Sequence, residues 1–320
     1  MKVPARDKFK GTLLGCAVGD ALGAPLEGMD AAAIKGRYGR VEDFIDARFG
    51  AGRITDDTQM TIVLAQAILE LGKFDREHAA FKFAGWIAAS DTGVKEARGV
   101  GAGCRTACRR LRDDPGEPSG VDSAGCGAAM RASPIGLRYF HDRDALFHAA
   151  VDQALLTHTD PRAVAGSVAV ACAVAAGILD EGDLDKPGLL KSVADAVEKV
   201  DRATASKIAG LSDYLDASAE EGFAYTGTGG ITIETVPAAL FAFIRTPYDL
   251  EETVVTAVNA GGDTDSIGAI AGAVSGAFNG MGAIPARWKE NVEGGEYIES
   301  VAYRIFTLTP ANRPAKRPAW

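Results

Sequence analysis

Two short stretches of this chain combine carboxylates and hydroxyls at spacings that suit a hard cation. One is Thr55-Asp56-Asp57-Thr58; the other is Asp263-Thr264-Asp265-Ser266, directly behind Gly261-Gly262. Taken singly, each is ordinary capping chemistry, because Asp, Ser and Thr accept hydrogen bonds from the free N–H groups of a first helical turn. Carboxylates one residue apart, however, repel each other unless a cation shares them. Mg²⁺, Mn²⁺ and Ca²⁺ all take oxygen ligands. Together the two stretches supply four carboxylates and several hydroxyls, enough to bridge a pair of metal ions if the fold brings them face to face.

The elements that must position these acids are helices. Met60, Val63, Leu64, Ala67, Ile68 and Leu71 follow the first stretch at helical spacing, and Ile267, Ile270, Ala271 and Val274 follow the second. Both acidic clusters therefore fall at helix starts. The same periodicity predicts helices over 9–23, 81–89, 164–179, 189–200 and 236–243, with breaks near 113–120, 182–187 and 227–230. Two-residue alternation is missing apart from one candidate edge, Gly230-Ile231-Thr232-Ile233. The expectation is an all-α fold forming one domain over 1–310, with a loose basic tail over 311–320.

Composition narrows the function classes. The 320 residues are 47% hydrophobic and only 7% aromatic, with 38 glycines, which suggests helices in close contact through small residues. A net charge of −9, without a basic stripe interleaved with aromatics, argues against nucleic acid as a partner. Five cysteines without a CxxC pair, and no export signal, point to reduced thiols and a cytoplasmic location. Cys104 and Cys108 lie one turn apart but lack the further ligands of a zinc site. The longest apolar run, 163–179, falls just short of a bilayer span, so a core helix is expected and no membrane partner.

Three polar anomalies remain. Asp20 interrupts an apolar, glycine-punctuated helix and is read as a cap on a neighbouring helix, while Glu27, past the helix end, is placed to reach a pocket. Ser123-Ala124-Gly125-Cys126-Gly127-Ala128-Ala129-Met130-Arg131 is a small-residue loop whose backbone could approach an anion, yet it lacks the GK[ST] of a P-loop. His158 stands among hydroxyls and an acid in Thr157-His158-Thr159-Asp160, just before a helix start, where it could bond a ligand phosphate or ribose.

Gly19-Asp20-Ala21-Leu22-Gly23 with Glu27, Thr55-Asp56-Asp57-Thr58, Gly127-Ala128-Ala129-Met130-Arg131, Thr157-His158-Thr159 and Gly261-Gly262-Asp263-Thr264-Asp265-Ser266 resemble, in order, the signature blocks of the ADP-ribosylglycohydrolase family. The resemblance implies a compact all-helical single domain with its metal site at helix N-termini. It also implies two divalent cations, Mg²⁺ or Mn²⁺, and removal of ADP-ribose from modified protein side chains. The implied metal ligands are Thr55, Asp56, Asp57, Asp263, Asp265 and Ser266, the last commonly Thr in the family. Asp57 or Glu27 would take the proton from water, and Gly125, Cys126, Gly127, Ala128, Met130 and His158 would contact ADP-ribose. Cys126, where several relatives carry Asn, and Ser266 look more like the ADP-ribosylarginine hydrolases, which tilts the expected linkage from serine toward arginine. An immunity role against an ADP-ribosylating toxin fits the same chemistry. The alternatives are a hydrolase of another ADP-ribose linkage, an ADP-ribose or toxin binder without turnover, and a metal-dependent phosphoesterase.

Overall fold

A computed structural model describes residues 5–309; the tail expected over 311–320 lies outside them. Among the described residues the chain forms sixteen α-helices and no strand, only isolated bridges. All the helices expected from periodicity are present, most of them longer by a turn or less at either end, and the 189–200 helix stops at Val197. Nine further helices are present, among them Ala31–Tyr38, Ala102–Asp113, Ala219–Thr226 and Gly295–Thr307. Ala31–Tyr38 and Ala219–Thr226 are eight residues each and bury one or two residues, which leaves little apolar periodicity to read. In Ala102–Asp113 the stripe Cys104, Ala107, Cys108 and Leu111 lies among polar and charged residues that mask it.

The candidate edge at 230–233 is not a strand. Thr232 opens the helix Thr232–Arg245, and Ile231 keeps a single bridge to Gly125. Thr232 donates its N–H to the Ala124 carbonyl and its hydroxyl to the Ala124 and Gly125 carbonyls, so its polar groups anchor a loop instead of pairing with a neighbouring strand.

The molecule is organised around the antiparallel pair Ala5–Gly23 and Thr264–Asn279, its most extensive helix contact. Glycines recur every fourth residue on the facing stripes. A Cβ at Gly11, Gly15 or Gly19 would lie 2.6, 2.2 or 1.9 Å from the carbonyl oxygens of Gly276, Gly272 and Gly268 respectively. Only glycine admits such an approach, and the backbones lie close enough for Cα–H to meet carbonyl oxygen. The ladder ends where Thr264 donates its hydroxyl to the Gly23 carbonyl at 2.8 Å. That closure sets the last turn of the first helix beside the first turn of the second, which is where the acids are.

The Pro161–Leu179 helix is long and apolar enough to cross a membrane, yet 78% of its most hydropathic window is buried within the fold. It is a core helix, as the run's composition suggests. It packs against Ser133–Tyr139, Arg143–Leu155 and Thr264–Asn279.

Candidate active site

The first acidic turn is built by two elements. Thr55 is the N-cap of the Asp56–Leu71 helix, which puts Asp56 and Asp57 at its first two positions. Asp20, fully buried on the first helix, reaches across and accepts four hydrogen bonds: from Thr55 N–H at 2.9 Å, Thr55 Oγ1 at 2.8 Å, Thr58 N–H at 3.1 Å and Thr58 Oγ1 at 2.5 Å. Asp20 thus caps its neighbour, satisfying donors that a helix start leaves orphaned. Burial raises its pKa to about 6 even though the threonine hydrogen bonds pull the other way.

The second turn is held mainly by backbone. Gly262 N–H donates to Met29 O, Gly28 N–H to Gly262 O, and Asp263 N–H to Thr228 O, each at 2.8 Å. Gly262, with φ of +78°, lies so near Thr228 that a Cβ would fall 2.0 Å from its carbonyl oxygen. Asp263 occupies the N-cap position of Thr264–Asn279, but its side chain caps nothing. Its Oδ2 instead accepts from Thr235 Oγ1 and from Cys126 Sγ, both at 3.1 Å. A carboxylate withheld from its own helix is free to face a ligand.

The two turns meet at one cavity of about 330 Å³. Glu27, Asp56, Asp57, Asp263, Asp265 and Ser266 line it on the acidic side, and Gly125, Cys126, Gly127, Met130 and His158 on the other. Asp57 and Asp265 are both pushed well above the carboxylate range, first by burial and then by the surrounding acids; Asp57 feels Asp263, and Asp265 feels Asp57. Burial and the charge of Asp20 raise Asp56 to about 8. Acids over 200 residues apart in the chain therefore share one electrostatic field, the arrangement a cation would relieve.

The donor set fits a hard divalent ion. It consists of carboxylate and hydroxyl oxygens, and Asp57 Oδ1 is buried with no hydrogen-bond partner. Among the described residues no three His, Cys, Asp or Glu side chains already stand in a ligating arrangement. The acids line a common cavity without closing on one point.

Not every expected site residue faces this cavity. Thr55 is fully buried and spends its hydroxyl on Asp20 and Asp57, so it shapes the turn from behind. Ala128 is also fully buried, and its carbonyl accepts from Gln153 Nε2 at 2.8 Å; it packs the loop against the core instead of lining the pocket. Cys126 lies closer to the acids than a simple ADP-ribose contact requires, donating to Asp263 and, at 3.3 Å, to Ser266 Oγ. Burial and the Asp263 charge keep its thiol protonated by raising its pKa.

The family model for ADP-ribosylglycohydrolase matches residues 1–315. The chain belongs to the ADP-ribosylglycohydrolase family. It is similar to the ADP-ribosylhydrolase ARH3 of Mus musculus, with 30% identity over 93% of this chain and 92% of the relative. It is also similar to the ADP-ribosylarginine hydrolase Tri1 of Pseudomonas putida, with 28% identity over 96% of this chain and 80% of the relative. A solved structure described as an ADP-ribosylglycohydrolase-related protein complex superimposes with a TM-score of 0.77 at 29% identity, covering 95% of this chain and 98% of that one. The fold is that of an ADP-ribosylglycohydrolase, and the family hydrolyses ADP-ribose linkages.

In this ADP-ribosylglycohydrolase, further residues shape the cavity without having announced themselves in sequence. Gly99, Gly101, Ala102 and Gly103 form part of its wall, and a Cβ at Gly99, whose φ is +77°, would come within 3.0 Å of Asp56 Oδ1. The run Gly99-Val100-Gly101-Ala102-Gly103, dense in small residues, was the available signal. Glu27 stands at the cavity and pairs with Arg48, the one non-glycine residue with positive φ among those described. His158 is nearly buried, and desolvation followed by the Arg131 charge pushes it down to about 3, so its ring is neutral.

Proposed function

We propose that this chain is a metal-dependent ADP-ribosylarginine hydrolase, cleaving the N-glycosidic bond between ribose and an arginine guanidine on a modified protein. The convergence of Glu27, Asp56, Asp57, Asp263 and Asp265 on one cavity beside a glycine-rich loop carries the reading. Cys126 in a Cys-Gly-Ala-Ala-Met-Arg block and Ser266 in place of Thr favour the arginine linkage. The similarities to ARH3 and Tri1 are nearly equal, so they support the family's chemistry without choosing the linkage.

ADP-ribosylglycohydrolases generally depend on divalent cations. Mg²⁺ or Mn²⁺ held by Asp56, Asp57, Asp263, Asp265 and Ser266 would neutralise the acids and polarise oxygens at the scissile ribose. Glu27 takes the base role. Its side chain keeps contact with solvent, whereas Asp57 points one oxygen at Thr55 and leaves the other unpartnered in the interior, the posture of a ligand. Cleavage builds oxocarbenium-like charge at the anomeric carbon, and the proton that Glu27 takes from water balances the one the departing guanidine nitrogen gains. Gly125, Gly127 and Met130 leave room for the ADP-ribosyl group against the loop.

The test is incubation with arginine- and serine-ADP-ribosylated proteins, with EDTA and with Mg²⁺ or Mn²⁺ restored. The expected result is cation-dependent release from arginine, yielding ADP-ribose with its pyrophosphate intact. Release from serine alone overturns the linkage, and release from neither overturns the activity.

A further inference from the structure

Arg131 is a buried cation that hydrogen-bonds to no anion, although it lies within the field of the buried Asp56 carboxylate. It is fully inaccessible, and among the described residues it makes no ion pair. Its guanidinium instead lies over the Phe83 ring, 4.8 Å from the centroid, and donates to neutral acceptors: Gln153 Oε1 at 2.9 Å, Gly127 O at 2.8 Å, Gln153 O at 3.0 Å, Thr157 Oγ1 at 2.7 Å and, more distantly, Cys104 Sγ at 3.9 Å. Burying an unpaired charge is costly, and scaffolding a loop could be done by a neutral side chain. The bond to Thr157 is the one that leads toward the cavity.

Thr157 is fully buried, and its Oγ1 lies 2.8 Å from His158 Nδ1. Arg131 can only donate, so it occupies a lone pair of the hydroxyl and leaves the hydroxyl proton to find an acceptor. Among the described residues, His158 Nδ1 is the acceptor this hydroxyl meets. A proton on Nδ1 would strand the Thr157 hydrogen in the interior, at the cost of an unsatisfied donor. The neutral ring must therefore carry its hydrogen on Nε2. That nitrogen faces the glycine loop: Cβ atoms built at Gly125 and Gly127 would lie 3.7 and 3.4 Å from it, and only hydrogens stand there. His158 lines the cavity on this side.

We propose that the buried Arg131–Thr157 pair is a positioning device that fixes the tautomer of His158, so that the ring presents Nε2–H to an acceptor oxygen of the bound ADP-ribosyl group. The identity of that oxygen rests on the function proposed above; the tautomer does not. Phosphate oxygens at neutral pH accept and do not donate, which matches a ring locked as a donor. Arg131 acts through Thr157 and touches no substrate.

The experiment is nitrogen-15 NMR of the imidazole rings in the full chain, with His158 assigned by loss of its signals in His158→Gln, alongside titration with ADP-ribose. The wild type should show hydrogen on Nε2 alone. Thr157→Val, which removes the hydroxyl at nearly constant volume, should admit the Nδ1–H form and weaken ADP-ribose binding about tenfold. Thr157→Ser should restore both readings, and Arg131→Met, if its melting curve shows a folded protein, should shift the tautomer as Thr157→Val does. An Nδ1–H ring in the wild type, or an unchanged ring in Thr157→Val, overturns the proposal. Absence of ADP-ribose binding in every form sinks the substrate assignment and leaves the nitrogen spectra to decide the tautomer.

Discussion

The two acidic turns offer similar side chains to the same cavity and are held by opposite means. The turn at Thr55–Thr58 is fixed by side chains, with one carboxylate, Asp20, accepting from two amides and two hydroxyls. At Asp263–Ser266 the fixing is done by backbone, through Met29, Gly28 and Thr228, with glycines at positive φ on its approach. The first spends an extra acid to free Asp56 and Asp57 from capping; the second frees Asp263 by leaving its own helix uncapped. The lesson is that a ligand-facing carboxylate must be relieved of structural duty, and a fold can do this by substitution or by omission.

If that contrast is right, the first turn should fail through one side chain and the second should resist any single loss. Asp20→Ala strands four buried donors, so a drop in stability on the order of 5 kcal/mol is expected, together with loss of hydrolysis, read by denaturant melts and ADP-ribose release. Asp20→Asn, which keeps one acceptor oxygen, should fall between.

On the second turn the comparable damage needs backbone strain. Gly262→Ala forces a Cβ against the Thr228 carbonyl at positive φ and should cost about 2–3 kcal/mol in the same melts. Thr235→Val removes only one of the two donors to Asp263 and should cost about 1 kcal/mol, with the cation concentration for half-maximal activity rising roughly tenfold. Should Thr235→Val prove as destructive as Asp20→Ala, the contrast would be lost.

The effect that vanishes at neutral pH lies outside both turns. His158 has its pKa lowered in the fold from 6.5 to about 3, so it adds stability that is complete above about pH 6.5 and drains away as pH falls toward 3. His158→Gln should flatten the melting temperature across that window relative to wild type, while leaving the stability of the two turns unchanged near neutrality.

The acids themselves were legible in the sequence because two carboxylates within three residues at a helix start are rare enough to notice. Asp20 was legible as well, since an acid on a glycine-rich apolar helix has to bond to something. What holds the second turn was not legible: Met29 and Thr228 contribute carbonyls, which every residue has, and Thr235 is an ordinary helical threonine. Arg131 read as part of a motif, but that it hydrogen-bonds to no anion appears only when the helices are assembled. Ile231 misled because its β-branched neighbourhood imitates a strand, whereas Thr232 turns the chain into a helix there.

The glycine ladder has a consequence for how the molecule is made. Thr264 and Gly23, which it closes, lie 241 positions apart, and every rung joins the opening helix to one translated near the end. A ribosome that has delivered two-thirds of the chain has therefore delivered half of a site, with Asp20 and the Thr55 turn waiting beside an empty helical slot. The slot is a strip of bare backbone, which a growing polypeptide must shield until its mate emerges. The catalyst comes into being only when the two remote segments meet.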